Sequence, residues 1–277
     1  SGRFKIVGVT VVSGNVWANE GLRNARATLQ MLGEEDVPVH LGAQLPLVHT
    51  AEMSKKERPL EFAGAFDLKR PKPETETAVD FIIGAIEKQP LTILAIGPLT
   101  NIAQVLAKRP ELATRIKSLV IMGGNVYVPG NATKAAEFNF WFDPDAARDV
   151  LRAPIANKVL IGLDVCNKAA YGRETFDRIA GGSSGVARIY REQFGFGFPG
   201  FLKNPQAKGY LWDELAAAYL IDPSIVTSEM SMYLEADAVF GKNYGRVIEA
   251  KTGKTKSRVP LDVDVSRCIE LYVKLLK

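Results

Sequence analysis

Leu91-Thr92-Ile93-Leu94-Ala95-Ile96-Gly97-Pro98-Leu99-Thr100-Asn101-Ile102-Ala103 is the stretch on which the fold turns. Leu91 to Ile96 carries no charge and reads as a strand buried on both faces; Gly97-Pro98 breaks it, and Thr100 to Ala107 resumes with helical spacing. The same strand, turn, helix order recurs on either side. Phe4 to Val12 is a nearly continuous β-branched run, followed by a helix over Glu20 to Leu32 (Leu22, Ala25, Leu29, Leu32) that stops at Gly33. Val37 to Leu41 reads as a short strand and Glu74 to Lys88 as a helix. Ser118 to Met122 is a further buried strand, broken by Gly123-Gly124. Pro144 opens a helix over Asp145 to Leu151, and Lys158 to Leu163 is another strand. This alternation predicts an α/β fold with an open, mostly parallel, Rossmann-like sheet covered by helices on both faces. Helices over Leu211 to Ile221 and Ser266 to Leu276 flank a hairpin-like pair, Met232 to Phe240 with Arg246 to Lys251. Gln44 to Pro73 has no clear period and reads as a long loop, and Gly181 to Gly209, with aromatics among helix breakers, as an aromatic lid.

The chain of 277 residues has 35 Lys and Arg against 31 Asp and Glu, a formal charge of +4. These charges are interspersed, so no basic surface for a nucleic acid is expected. Hydrophobic residues make up 47% and charged residues 24%, as in an ordinary globular protein. No linker divides the sequence, and a single domain over 1–277 is expected. No apolar run approaches the length needed to cross a bilayer, so no membrane partner is expected. Cys166 and Cys268 lack CxxC or zinc spacing; reduced thiols and a cytoplasmic location follow as the expectation.

Open parallel sheets bind ligands at the carboxyl ends of their strands. The polar residues there are Ser13-Gly14-Asn15 after the first strand, Ile96-Gly97-Pro98 after the next long one, and Gly123-Gly124 with Gly130-Asn131 beyond Met122. Glu137-Phe138-Asn139 follows shortly, and Trp212-Asp213 comes late. Asparagines with two carboxylates suit a polyhydroxylated ligand such as ribose, since a site built to bond hydroxyls rejects analogues that lack them. Taken singly, Asn15 and Asn131 read equally as turn residues. Glu137 is harder to dismiss, because it lies between Ala135-Ala136 and the apolar Phe138, Phe140 and Trp141.

The stretches Val9 to Asn15, Ile96 to Ala103, Met122-Gly123-Gly124 with Gly130-Asn131, Ala136 to Asn139 with Asp143 to Ala147, Gly162 to Val165, and Trp212-Asp213 together resemble the inosine–uridine preferring nucleoside hydrolase family. The match runs in consistent order over essentially the whole chain. The resemblance implies hydrolysis of the N-glycosidic bond of ribonucleosides by calcium-activated water, through an oxocarbenium-like sugar. Carried over residue by residue, Asn15, Asn131, Glu137 and Asn139 would hold ribose hydroxyls and Met122 would lie beneath the sugar. Asp213 would bind both sugar and calcium, with the Ile96 carbonyl a second calcium ligand. The family is usually dimeric or tetrameric, which implies a homo-dimer or homo-tetramer.

The sequence departs from the family's pattern in two places. An aspartate-rich strand end that supplies the general base and most calcium ligands would lie ahead of Val9; Asp36, Asp67 and Asp80 stand in other contexts. An N-terminally incomplete domain is therefore expected, with the segment cleaved, carried as a separate fragment, or outside the sequence given. The second departure is Trp212, where many members have a histidine. Tryptophan has no titratable proton but can stack on a base, worth roughly 1–3 kcal/mol per base in single-strand binders. That reading favours purine nucleosides, and core packing is the alternative for Trp212. His40 and His49 read as loop or strand-end residues. A rival to the hydrolase is a catalytically inactive nucleoside- or ribose-binding protein without the base. A dinucleotide-dependent oxidoreductase is disfavoured, as no G-x-G-x-x-G follows the first strand.

Overall fold

Alternating apolar residues in the central strands fill two separate cores, and this arranges the molecule in layers. The computed structural model describes residues 4–48, 77–197, 203–204 and 206–276. In β4 (Ile116–Met122), Leu119 and Ile121 face one core while Val120 and Met122 face the other. In β5 (Lys158–Ile161), Leu160 joins the first core, and Val159 and Ile161 join the second. Both strands are apolar on both faces because helices cover both.

The main sheet has the order β3 (Leu91–Ala95), β4, β5, β10 (Ser257–Val263), β8 (Val226–Ala236), β9 (Val247–Ala250), while β6 (Ala170–Tyr171) and β7 (Gly209–Tyr210) form a separate antiparallel pair. β3, β4, β5 and β10 run parallel, and β8 and β9 add an antiparallel edge. The expected α/β architecture with a mostly parallel sheet is present. The first core packs helices α2 (Ala78–Lys88), α3 (Thr100–Lys108) and α5 (Pro144–Arg152) on one face; α4 (Phe138–Phe142) precedes α5. The other face carries α6 (Leu163–Cys166), α7 (Arg173–Ala180), α8 (Gly185–Gly197), α9 (Asp213–Ile221) and α10 (Val265–Leu276).

Several elements differ from the reading of the sequence. Only Val9–Thr10 of the first apolar run is strand (β1), pairing in parallel with β2 (Val39–His40) as a separate two-stranded sheet. A strand extends only as far as its partner, and Phe4 and Ile6, beyond the pairing, are exposed. β8 starts at Val226 and ends at Ala236, earlier at both ends than expected. Its first half is exposed and polar, and its pairing with β10 defines it instead of an apolar pattern. β10 was not anticipated at all. Pro260 interrupts it, and the ladder shifts register between Pro260 and Asp262, which accommodates the missing N–H. The 181–209 stretch contains helix α8 where an irregular lid was expected, because Ala187, Ile189 and Tyr190 bury themselves against the second face. Tyr190 packs on Phe176 at 5.3 Å between ring centroids. Residues 198–202 and 205 of that lid, 49–73 of the long loop and 74–76 of the helix expected from Glu74 lie outside the described residues.

One lysine sits in the core among the described residues. Lys158 is buried, and its Nζ donates to Leu151 O at 2.5 Å and Ala153 O at 2.6 Å, capping the last turn of α5. Burial lowers its pKa from the ordinary 10.5 to about 8. Between those values the unfolded chain holds a proton that the folded chain has released, so stability rises with pH through that window. We predict that urea unfolding between pH 8 and 10 shows this rise in the native chain, on the order of 1 kcal/mol. In Lys158→Met the pH-dependent increment is absent; an identical slope in both proteins refutes the assignment.

Candidate functional site

The carboxyl ends of β1, β3 and β4 and the start of α9 converge on one rim. Asn101, near the start of α3, ties the first two together. Its Nδ2 donates to Val11 O and its Oδ1 accepts from Ala43 N, both at 2.9 Å. Gly42 lies against the same carbonyl, where a Cβ would stand 2.2 Å from Val11 O. Beyond β1, buried Ser13 accepts from Ala18 N at the head of α1 (Ala18–Leu32). Gly14 packs on the Pro98 ring, within 3.9 Å of Phe138 for a built Cβ, and Asn15 is exposed beside it.

Asn139 joins β3 to β4. Its Nδ2 donates to Met122 O at 3.1 Å and reaches Ile96 O at 3.4 Å and Met122 Sδ at 3.6 Å. Glu137, 2% exposed, caps α4 and also grips the end of β4. Its Oε2 accepts from Gly124 N at 2.9 Å and Phe140 N at 3.2 Å, and its Oε1 from Asn139 N at 2.9 Å. Burial pushes the Glu137 pKa up to about 7 against these amides, which favour the anion. Gly123 and Gly124 adopt positive φ (156° and 72°), letting the chain turn from β4 over the carboxylate. Asn131 is exposed, and its Oδ1 accepts from Phe138 N at 2.9 Å.

Asp213 opens α9 on the same rim. Burial raises its pKa to about 7, helped by the negative charges of Glu214 and Glu137. Glu214 is itself raised by burial, with the Tyr272 hydroxyl at 3.5 Å from its Oε1. Buried Cys166 beneath them is raised too, by burial first and then by Glu137 and Asp213. Trp212 is 39% exposed, and its ring lies 6.3 Å from Tyr210 at an interplanar angle of 17°. It therefore faces outward instead of filling the core. Around Asn139 and Glu137 lie Ile96 and Met122 by direct contact, Asn131 through the backbone of Phe138, and Asp213 through its charge, while Asn15 is exposed next to Gly14, which packs near Phe138.

Carboxylates that burial and mutual repulsion raise suit a hard cation that takes oxygen ligands. The family resemblance would make Asp213 and Ile96 O two such donors. No cluster of three or more His, Cys, Asp or Glu side chains that could hold a metal occurs among the described residues, and calcium takes six to eight oxygens. These oxygen donors are of the kind calcium takes, and on the family resemblance Asp213 and Ile96 O would make up only part of its shell.

Three residues of the rim had no role in the sequence reading. Asp164 accepts from Val126 N at 2.8 Å and Tyr127 N at 2.7 Å; an acid between Leu163 and Val165 was the available signal. Asn125, directly after the double glycine, and Glu214, beside Asp213, were equally visible only as neighbours. His40 stacks on Phe81 at 4.1 Å, within the β1–β2 region, and His49 lies outside the described residues. Among the described residues no helix is long and apolar enough to cross a membrane.

The family model described as inosine-uridine preferring nucleoside hydrolase matches residues 1–270. A pyrimidine-specific ribonucleoside hydrolase, RihB, from Escherichia coli is 30% identical over 288 residues, which cover 97% of this chain and 90% of the relative. A purine-preferring ribonucleoside hydrolase from Gardnerella vaginalis has 26% identity and a TM-score of 0.81, covering 100% of this chain and 91% of its own. A plant nucleoside hydrolase shares the fold at 22% identity, with a TM-score of 0.86 over 98% of this chain and 90% of that one.

Glu137→Ala strips an acceptor from three backbone amides, Gly124, Asn139 and Phe140, in a buried position. The expected loss is about 2–4 kcal/mol in denaturant unfolding, with Glu137→Gln, which keeps one oxygen, losing less. Equal stability of Glu137→Ala and the native chain would show that the carboxylate does not organise the rim.

Proposed function

The chain belongs to the inosine–uridine preferring nucleoside hydrolase family and is a ribonucleoside hydrolase; on that premise we propose that it acts on purine ribonucleosides such as inosine, releasing base and ribose. The observation that carries the purine reading is the exposed, stacked Tyr210–Trp212 pair immediately before Asp213. A planar base laid on that pair gains stacking area, and a two-ring base gains more than a one-ring base. The purine-preferring relative at 26% identity supports this reading. A pyrimidine preference is the second reading, favoured by the 30% identity to the pyrimidine-specific relative.

In this assignment the ribose lies over Met122, with Asn15, Asn131, Glu137 and Asn139 around its hydroxyls. Asp213 and the Ile96 carbonyl would hold calcium, and Asp213 would also bind the sugar. A calcium ion held by Asp213 and the Ile96 carbonyl would supply a coordinated water of lowered pKa. The residues of the chain bind and orient the sugar. Glu137 holds the Asn139 backbone in place, and Asn139 aligns the carbonyls of Ile96 and Met122. Positive charge developing on the sugar ring in an oxocarbenium-like transition state is favoured by the surrounding carboxylates, Asp213, Glu214 and Glu137. The same carboxylates disfavour an anionic ligand, which points to the uncharged nucleoside over its phosphate ester.

Two measurements test these assignments. Asp213→Ala should abolish turnover, at least a thousandfold in kcat/KM, and weaken calcium binding measured by calorimetry in the same protein. Retained turnover with unchanged calcium affinity sinks the dual role. Trp212→Ala should lower kcat/KM for inosine by about tenfold, in line with the loss of one stacking contact, and that for uridine by less. If uridine is the better substrate of the native enzyme, or both fall alike, the purine reading is replaced by the pyrimidine one.

A further inference from the structure

The loop from Gly123 to Glu137 carries Asn131 and ends on Glu137, yet its middle is exposed and contains no regular element. Such a loop holds a fixed shape only if its backbone groups are bonded internally. One side chain makes three of those bonds. Asn125 is 3% exposed and uses both ends of its amide. Its Nδ2 donates to Val128 O at 2.8 Å and to Ala135 O at 3.1 Å, and its Oδ1 accepts from Glu137 N at 2.8 Å. It therefore spans the loop near its beginning, its approach to the tip, and its return. The contacts that complete the loop are local: Gly130 N to Lys134 O at 3.2 Å, Ala132 N and Thr133 N to Ala136 O at 3.2 and 3.3 Å, and the Thr133 hydroxyl accepting from Ala135 N and Ala136 N at 3.1 Å. These shape the tip but do not tie it to the strand end. Asp164 holds Val126 and Tyr127 on the first limb alone. Asn125 thus joins the two limbs, alongside the Glu137 carboxylate on Gly124 N, and it alone of the two also holds Val128 and Ala135.

The bond to Glu137 N matters most for position. Glu137 lies between that bond on its backbone and three amides on its carboxylate, so rotation of the peptide before it would turn the carboxylate away from Gly124 N. Asn131 depends on the same closure, because its Oδ1 bonds Phe138 N, one residue past Glu137. An amide is the side chain required here. Two carbonyl acceptors and one N–H donor must be met by one planar group, and a carboxylate at 125 would face both carbonyls with no proton to give.

We propose that Asn125 is a positioning residue for sugar recognition: it sets the relation of Asn131 and Glu137 across the loop without touching the substrate. This rests on the reading of Asn131 and Glu137 as ribose contacts. The consequence is specific. Loosening the loop weakens discrimination in favour of ribonucleosides over their 2′,3′-dideoxy analogues, whereas a loss of folded protein lowers the turnover of every substrate by one factor.

The test compares Asn125→Ala, Asn125→Ser and Asn131→Ala, using inosine and 2′,3′-dideoxyinosine as probes. The ratio of kcat/KM is measured, or of KM to Ki where the analogue is not cleaved. Lys158→Met, remote from the rim, serves as the control for general destabilisation. The expected result is a fall of about tenfold in the ratio for Asn125→Ala. Asn125→Ser, which keeps an acceptor for Glu137 N, falls between it and the native chain. The control ratio does not change. In Asn125→Ala/Asn131→Ala the losses are less than additive, because both act through one loop. An unchanged ratio in both Asn125 variants, with a reduced ratio in Asn131→Ala, overturns the positioning role and leaves the sugar reading intact. An unchanged ratio in Asn131→Ala itself overturns the sugar reading, and this proposal with it. If Asn125→Ala does not fold, Asn125→Ser carries the same comparison.

Discussion

Three backbone amides from two different elements close on one buried carboxylate, and the rim is organised around that closure. Gly124 N comes from the end of a central strand; Asn139 N and Phe140 N come from the first turn of a short helix. A helix of five residues, Phe138–Phe142, has little stability of its own. It persists because Glu137 caps it, because Phe140 and Phe142 are buried, and because Asp143 immediately caps the next helix through Ala146 N at 3.0 Å. Asp143 also accepts from Thr100 Oγ1 at 2.6 Å and Leu47 N at 3.0 Å, so the base of the rim is braced from three sides. The position of Asn139, and hence the carbonyls it reaches, follows from these bonds.

Charge at the rim is distributed differently from charge on the surface. The surface ion pairs, such as Lys108 with Asp80 and Arg109 with Glu87, join exposed groups and contribute little to stability. At the rim the carboxylates of Glu137, Asp213 and Glu214 lie close enough to act on one another, and burial raises each of them. Part of the cost of this repulsion is offset by backbone amides and by the N-terminus of the helix that Asp213 and Glu214 open. The rest makes the rim a place where a cation or a developing positive charge is favoured. A nucleoside hydrolase needs that property, because the sugar gains positive charge as the bond to the base breaks.

The layered α/β architecture was legible because Leu119 to Met122 and Val159 to Ile161 are continuous apolar runs that end at glycines, and helices such as Ala78–Lys88 and Pro144–Arg152 carry apolar stripes between them. Local pattern failed where pairing decides. Ser257–Val263 contains Arg258, Pro260 and Asp262, so nothing in its sequence marks a strand lying between two others. Its place is set by β5 and β8 on either side. The opposite error occurred at Phe4–Val12, where an apolar run forms only two residues of strand because β2 offers only two partners. Helix Gly185–Gly197 defied its glycines because burial against Phe176 and Tyr272 outweighs propensity.

The site shows the same division. Strand-end position marked the segments that hold Asn15, Ile96, Asn131, Glu137, Asn139 and Trp212-Asp213, because open parallel sheets bind ligands there; the resemblance to the nucleoside hydrolases singled out Met122 and assigned the roles. What each of them contacts in the fold was not in the sequence. That Glu137 spends its carboxylate on backbone amides, that Trp212 faces outward beside Tyr210, and that Asn125 joins the limbs of a loop all depend on groups far apart in the chain meeting in space. The sequence by itself determined the layers and the candidate rim, because burial period and strand ends are local properties. Only the tertiary structure decided which polar groups are satisfied by the protein and which remain turned towards a ligand, because hydrogen-bond partners are set by distance and angle in three dimensions.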